Sequence, residues 1–186
     1  FRQSDVGCGM GVKTAIDWMF ENEDFGIILE DDCVVNPSFW PYMSELLSKY
    51  ASDQRIGMIA GYNPLSKICS DASYTFSRYK ACWGWATWRD RWEKYDYTLS
   101  KYDNQYIVET LSQDIRPKRV AMARVKEWGR ARERLIKNER VSFWDHQWSF
   151  IRNINSWVAI VPKYNQITNI GAGSDSTHAK ASLKSM

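Results

Sequence analysis

The apolar residues between positions 12 and 61 follow two different spacings in a regular order, and this pattern constrains the fold more than any other feature. Apolar residues recur at helical spacing over 12–22 and again over 39–50. Each of these stretches is followed by a short continuous apolar run, 25–29 or 56–61, which is typical of a strand buried on both faces of a parallel sheet. The order helix, strand, helix, strand therefore predicts an α/β fold with a mostly parallel sheet and right-handed crossovers.

The remainder of the chain is less regular. Residues 62–81 are polar and irregular, and the tryptophan-rich stretch 83–88 predicts a loop-rich aromatic wall leading into a short helix. Further predicted elements are helices over 120–138 and 141–153 and a strand over 157–161. A length of 186 residues suits one domain and is too short for two ordinary domains with a linker, so we expect a single domain spanning residues 1–186.

Composition excludes several classes of protein. Hydrophobic residues make up 44% of the chain and charged residues 25%, which does not fit a disordered, collagenous or fibrous protein. The net charge of +3 is too balanced for a protein whose main task is to coat nucleic acid. The four cysteines form no C-x-x-C pair, which argues against a zinc ribbon or redox motif and favours a reducing compartment. No apolar run approaches the ~20 residues of a membrane span, and the N-terminus lacks a signal-peptide pattern.

Positive charge is concentrated in one segment. Between Ile115 and Arg140 there are ten Lys or Arg residues and three Glu residues, on an otherwise mildly acidic chain. A basic helix is most often a solvated face. The functional alternative is a surface that meets an anionic acceptor, a lipid-linked phosphate or a membrane.

Three consecutive acids, Glu30, Asp31 and Asp32, directly follow the apolar run 25–29. Adjacent carboxylates repel one another, and a divalent cation relieves that repulsion. Hard oxygen ligands suit Mg²⁺ or Mn²⁺, and substrate phosphates often complete the coordination of such ions. Ligands of open α/β sheets bind at the carboxyl ends of the strands, so the position favours a metal-bound nucleotide, with a solvated acidic cluster as the alternative.

The stretch from Gly26 through these acids to Trp40 resembles the D-x-D strand and following helix of nucleotide-sugar-dependent glycosyltransferases with the GT-A fold. The resemblance covers roughly residues 2–180. The chain resembles the Golgi N-acetylglucosaminyltransferase I family and the haemolysin-like bacterial sugar-nucleotide transferases that share its outline. The other motifs occur in the same order: Gly7-Cys8-Gly9, Ala60-Gly61-Tyr62-Asn63, Trp83-Gly84-Trp85, and Phe143-Trp144-Asp145 with Trp148.

The resemblance implies roles for individual residues. Asp32 would contact a Mn²⁺ or Mg²⁺ ion bound to the donor diphosphate, and Glu30 and Asp31 would contact the ribose and sugar of the donor. Asp145 matches the catalytic base, which in an inverting transfer removes the proton of the acceptor hydroxyl. The alternatives for Asp145 are a helix cap or a surface acid. The neighbouring His146 is interpreted as structural.

Two further sets of residues are candidates for the donor site. Trp83, Gly84 and Trp85 could form a wall, because sugars stack their C–H faces on aromatic rings, although such tryptophans often belong to the core. His178 lies in a stretch that resembles the loop that closes over the donor, and its imidazole could bind the metal or a phosphate. The alternative is an exposed histidine near the C-terminus.

The sequence departs from the family at its beginning. The first strands of a GT-A domain, which hold the nucleotide base, would lie upstream of Phe1, so we expect residues 1–186 to be the C-terminal portion of a GT-A domain. The sheet would then be GT-A-like (Rossmann-like), mostly parallel, flanked by helices and without its first nucleotide-binding strands. Recognition of the nucleotide base can then be assigned to no residue present. A complete polypeptide of this kind would have lost donor binding and activity, whereas a fragment would come from an ordinary transferase.

The sequence thus predicts a metal-dependent, inverting glycosyltransferase that uses a nucleotide-diphosphate sugar, with a UDP-sugar favoured. The acceptor would be a glycan or lipid-linked glycan, with peripheral membrane contact and no nucleic acid. A cytoplasmic location in a bacterial or viral-like context is favoured over the Golgi lumen. Alternatives are a catalytically inactive carbohydrate-binding module, which would bind glycan without metal, and a nucleic-acid-binding protein that uses the basic helix and aromatic residues.

Overall fold

The chain combines helices and short strands in a computed structural model, which describes residues 5–68, 71–78 and 82–171. The helices are α1 Cys8–Asn22, α2 Phe39–Lys49, α3 Arg89–Trp92, α4 Gln105–Asp114, α5 Lys118–Ile136 and α6 Asp145–Ile154, with a 3-10 helix at Ser100–Asp103. The strands are β1 Phe25–Ile28, β2 Cys33–Val35, β3 Ile56–Ala60, β4 Tyr74–Ser77, β5 Trp85–Trp88, β6 Val158–Pro162 and β7 Ile167–Asn169. The chain divides into two compact units, a helical unit (Phe1–Asp24 with Arg89–Trp157) and a sheet unit (Phe25–Trp88 with Val158–Met186).

The sheet unit contains a five-stranded mixed sheet in the order β1-β5-β3-β6-β4 and a two-stranded sheet of β2 and β7. The α/β class is therefore confirmed, but the prediction of a mostly parallel sheet is wrong. Only β3 and β6 pair in parallel, whereas the other three neighbouring pairs of the large sheet are antiparallel. The reason is that β4 and β5 come from stretches predicted to be irregular, and β5 separates β1 from β3.

The prediction that the first strand is buried on both faces is also wrong. β1 is an edge strand, none of its four residues is fully buried, and Phe25 is 55% exposed. β3 instead lies between β5 and β6, and all five of its residues are buried. The same short apolar pattern therefore marks both an edge strand and an interior strand.

The apolar stripe of α2 packs on one face of this sheet. Ala86 and Trp88 of β5 lie in this core, and the Trp88 indole donates a hydrogen bond of 3.0 Å to the carbonyl of Leu47. Because side chains alternate along a strand, Trp85 and Thr87 lie on the opposite face, where the Thr87 hydroxyl donates to the carbonyl of Gly57 at 2.8 Å. The buried core residues are Phe39, Met43, Leu46, Leu47, Ile56, Ile59, Ala86, Trp88, Ile160 and Ile167.

Aromatic rings form much of the core of the helical unit. Trp92 stacks on Tyr95 with ring centroids 4.3 Å apart and contacts Trp148 at 5.4 Å. α1 begins at Cys8, four residues before the start of the predicted helical stretch 12–22. Gly9 permits a close approach there, because a Cβ at this position would lie 2.6 Å from the carbonyl oxygen of Phe143.

Candidate metal and donor site

The acidic loop leaves the large sheet at the edge where three strands end. β1 and β3 are each antiparallel to β5, and β6 is parallel to β3, so β1, β3 and β6 run in one direction. Their carboxyl ends therefore lie along the same edge, and β5 begins there. This is the edge at which α/β proteins bind their ligands.

A tight turn sets the directions of the three acids. The backbone N–H of Cys33 donates to the carbonyl of Glu30 at 3.0 Å, which closes the turn. Glu30 and Asp32 are half-buried, and Asp31 between them is exposed. One carboxylate oxygen each from Glu30 and Asp32 and the Cys33 Sγ all lie within 4.8 Å of one another. The structure thus brings together two of the three predicted acids, and it adds a cysteine that the sequence did not single out.

The ribbon formed by β2 and β7 holds Asp32 from the other side. The N–H of Ile170 donates to the carbonyl of Asp32 at 2.9 Å. At Gly171 a Cβ would overlap Oδ2 of Asp32 and lie 3.0 Å from its Cγ. Only a residue without a side chain lets the backbone pass the carboxylate so closely.

Asn169 supplies a polar atom beside this cluster. It lies directly opposite Cys33 in the antiparallel pair, so the two side chains share one face of the ribbon. Its Oδ1 is buried and accepts no hydrogen bond from the described part of the chain. A buried amide oxygen without a donor is unfavourable, and a cation or a ligand hydroxyl would satisfy it.

The chemistry of these groups suits a hard cation. Burial raises the pKa of the Cys33 thiol to about 11, so at neutral pH the sulfur carries its proton and faces Oδ1 of Asp32 at 3.7 Å. The charged donors are then two carboxylates, with the Asn169 amide oxygen alongside. Oxygen ligands of this kind fit Mg²⁺ or Mn²⁺ better than a metal that prefers thiolate sulfur.

The two tryptophans of the predicted aromatic wall differ in burial. The half-buried Trp83 packs against Tyr62 with ring centroids 4.6 Å apart. Trp85 is 0% exposed in β5, so its ring has no surface for a sugar and belongs to the core. Gly84 has a positive φ of 54°, and a Cβ there would overlap Cδ1 of Ile167 and lie 3.2 Å from Cδ2 of Leu29. The absence of a side chain at Gly84 therefore allows β5 to begin close to Leu29, next to the acidic loop.

Asp145 is the first residue of α6 in the helical unit. Its carboxylate is exposed and has no hydrogen bond or ion pair with any described residue, so it does not act as a helix cap. The tryptophans on either side, Trp144 and Trp148, are 4% and 0% exposed and belong to the core. His146 packs on Phe143, and its Nδ1 lies 3.5 Å from a Glu127 carboxylate oxygen. His178 lies outside the described residues.

The sequence did not reveal Cys33, Asn169 or Gly171 as parts of the site. Cys33 follows the acids directly, and Asn169-Ile170-Gly171 begins the glycine- and serine-rich end of the chain. The pairing of β2 with β7, which brings these segments together, joins residues more than 130 positions apart. No protein-family model matches the chain, and no curated protein matches it either.

Proposed function

We propose that this chain is the catalytic part of a metal-dependent glycosyltransferase, which moves a sugar from a nucleotide-diphosphate donor to an acceptor hydroxyl. The observation that carries the proposal is the pair of carboxylates, Glu30 and Asp32, which meet directly after β1 at the strand-end edge of the sheet. Two carboxylates this close repel each other. A divalent cation bound between them would remove that repulsion, and the phosphates of an anionic donor would complete its coordination.

The residues of the cluster would have separate roles in binding the donor and the ion. Asp32, fixed through its backbone carbonyl and flanked by Gly171, would hold Mn²⁺ or Mg²⁺ together with Glu30. Asn169 would offer a further oxygen, and the Cys33 thiol would orient Oδ1 of Asp32 by donating to it. The exposed Asp31 would reach the sugar or ribose. When bound, the cation supplies Lewis-acid neutralisation of the charge that develops on the leaving diphosphate.

Asp145 would act as the base of an inverting transfer. Its exposed carboxylate has no partner among the described residues, so it is available to accept a proton. As the acceptor oxygen forms its bond to the anomeric carbon, Asp145 would take the hydroxyl proton, and the bond from that carbon to the diphosphate would break. The electron pair of this bond leaves with the nucleoside diphosphate, so no general acid is required.

Calorimetric titration tests the proposed donor site. UDP-GlcNAc and then GDP-sugars are titrated into the full chain with and without Mn²⁺. We expect metal-dependent binding, and in Asp32→Asn we expect that binding to weaken by about tenfold or more, the scale of losing one group from a metal's surroundings. Asp71→Asn is the matched control, because it removes the same charge from an exposed residue of the same unit outside the cluster.

Two results would overturn the proposal. Binding of glycans without metal or nucleotide would indicate a carbohydrate-binding module. Equal loss of binding in Asp32→Asn and Asp71→Asn would mean that general charge, rather than the cluster, attracts the ligand. Circular dichroism of both variants shows whether a loss of binding comes with a loss of fold.

A further inference from the structure

The exposed side of α5 carries a straight row of cations. Arg119, Lys126, Arg130 and Lys137, the last at the C-cap, are separated by seven, four and seven residues. At 3.6 residues per turn, these positions fall within about 40° of one another around the helix axis and extend over about 27 Å. All four are exposed, and the opposite side of the helix buries Trp128. We call these four residues the basic row.

The basic row is not neutralised by the described part of the protein. None of its four members forms an ion pair with a described residue. The arginines that flank the row do form such pairs, because Arg124 contacts Glu127, Arg132 contacts Asp103 and Arg134 contacts Glu139. Glu133 is the only acid near the centre of this exposed face of α5, so the row keeps an excess of three positive charges.

We infer that the basic row is a docking surface for an anionic lipid bilayer. Four cations aligned on a straight helix can all meet a flat surface at once, and each Lys or Arg near an anionic membrane strengthens binding by roughly fivefold. Met122, which is 63% exposed, lies beside the row and provides an apolar side chain for the headgroup region. Among the described residues, no helix is long and apolar enough to cross a membrane.

A bilayer fits this surface better than a single-stranded nucleic acid. Proteins that bind single strands combine positive charge with aromatic rings on which the bases stack. The row's exposed uncharged neighbours on α5 are Met122 and Ala123, and neither carries a ring. The inference is independent of the proposed transferase activity, because it uses no residue of the metal cluster and does not involve Asp145.

Vesicle flotation tests the inference on the full chain. The wild type and the Lys126→Glu/Arg130→Glu variant are mixed with vesicles of phosphatidylcholine alone or with 30% phosphatidylglycerol, at 50 and at 500 mM salt. We expect the wild type to bind only the anionic vesicles and to be released by high salt. The partition coefficient of the double variant should fall by at least about 25-fold, the product of two roughly fivefold contributions.

The control variant is Lys67→Glu/Lys163→Glu, which makes the same change in net charge in the sheet unit. Partition of this control should stay within a few-fold of the wild type. Equal loss in both variants, binding to neutral vesicles, or no binding by a folded wild type would overturn the inference. Tighter binding to a single-stranded oligonucleotide than to anionic vesicles, lost in the α5 variant, would instead assign the row to nucleic acid.

Discussion

At residue 171 the backbone passes so close to Asp32 that a side chain would displace the carboxylate. We predict that Gly171→Ala weakens Mn²⁺-dependent donor binding by about tenfold, because the carboxylate must move away from its position beside Glu30. Calorimetry with UDP-GlcNAc and Mn²⁺ measures the change. Gly11→Ala is the matched control: a Cβ there has no atom within 4 Å, and alanine within a helix stabilises it by roughly 0.5–1 kcal/mol. If both variants bind like the wild type, Asp32 is not a ligand.

Substituting Asn169 distinguishes a structural role from a ligand role, because the two roles predict different changes in stability and in Mn²⁺ affinity. Its buried Oδ1 has no partner within the described structure, so Asn169→Ala removes an unsatisfied group and should leave the free energy of unfolding unchanged or slightly higher. If this oxygen helps to hold the cation, the same variant binds Mn²⁺ about tenfold more weakly. Thermal unfolding and Mn²⁺ titration measure the two effects. A less stable variant with unchanged Mn²⁺ affinity would show that Asn169 is structural.

At the scale of single elements, Asp96 organises the turn that leads into the 3-10 helix at Ser100–Asp103. Its carboxylate accepts hydrogen bonds from the backbone and side chain of Thr98 and of Ser100, at 2.6–2.9 Å. Partial burial alone would raise its pKa, but these hydrogen bonds outweigh burial and lower the pKa below 3.8. Because the folded state favours the charged form, the stabilisation is present above pH 3.8 and is lost as the pH falls through the folded pKa.

We therefore predict that Asp96→Ala lowers the free energy of unfolding by about 1 kcal/mol at pH 7, a value kept small by solvent exposure of the turn. The difference from the wild type should shrink below pH 3.8, where the wild-type carboxyl group becomes protonated. Urea unfolding at pH 7 and pH 3 measures both values. A difference that stays the same at the two pH values would mean that the charge of Asp96 does not stabilise the turn.

Elements marked by a regular apolar stripe or by a continuous apolar run were predictable, and the short elements of the irregular stretches were not. The stripe of α2 predicted a helix with the correct face, and α5 was predicted within two residues of its bounds. β5 has only four residues, all of them buried, and its tryptophans were predicted as part of a loop wall.

The residues of the site show the same contrast. Its acids are consecutive in the sequence and could be predicted from it. Asn169 and Gly171 reach the site only through the pairing of β2 with β7.

At the scale of the whole molecule, the proposed ion ligands and the proposed base belong to different units. The metal cluster of Glu30, Asp32 and Cys33 lies in the sheet unit, and Asp145 begins α6 in the helical unit. A base acts on the acceptor proton and is not needed to hold the donor. Substituting Asp145 should therefore impair transfer without impairing binding of the donor or the ion.

Asp145→Asn keeps the shape of the side chain but removes its ability to accept the proton. We predict that the rate of acceptor-dependent UDP release falls by roughly 10²–10⁴, the usual contribution of a general base, while calorimetry gives wild-type affinities for the donor and Mn²⁺. Asp31→Asn, at an exposed acid beside the cluster, should show the reverse pattern, with weaker donor binding and a smaller loss of rate at saturating donor. Equal loss of donor binding in Asp145→Asn would remove Asp145 from the base role, because a residue that acts only in the chemical step leaves the affinity for the donor unchanged.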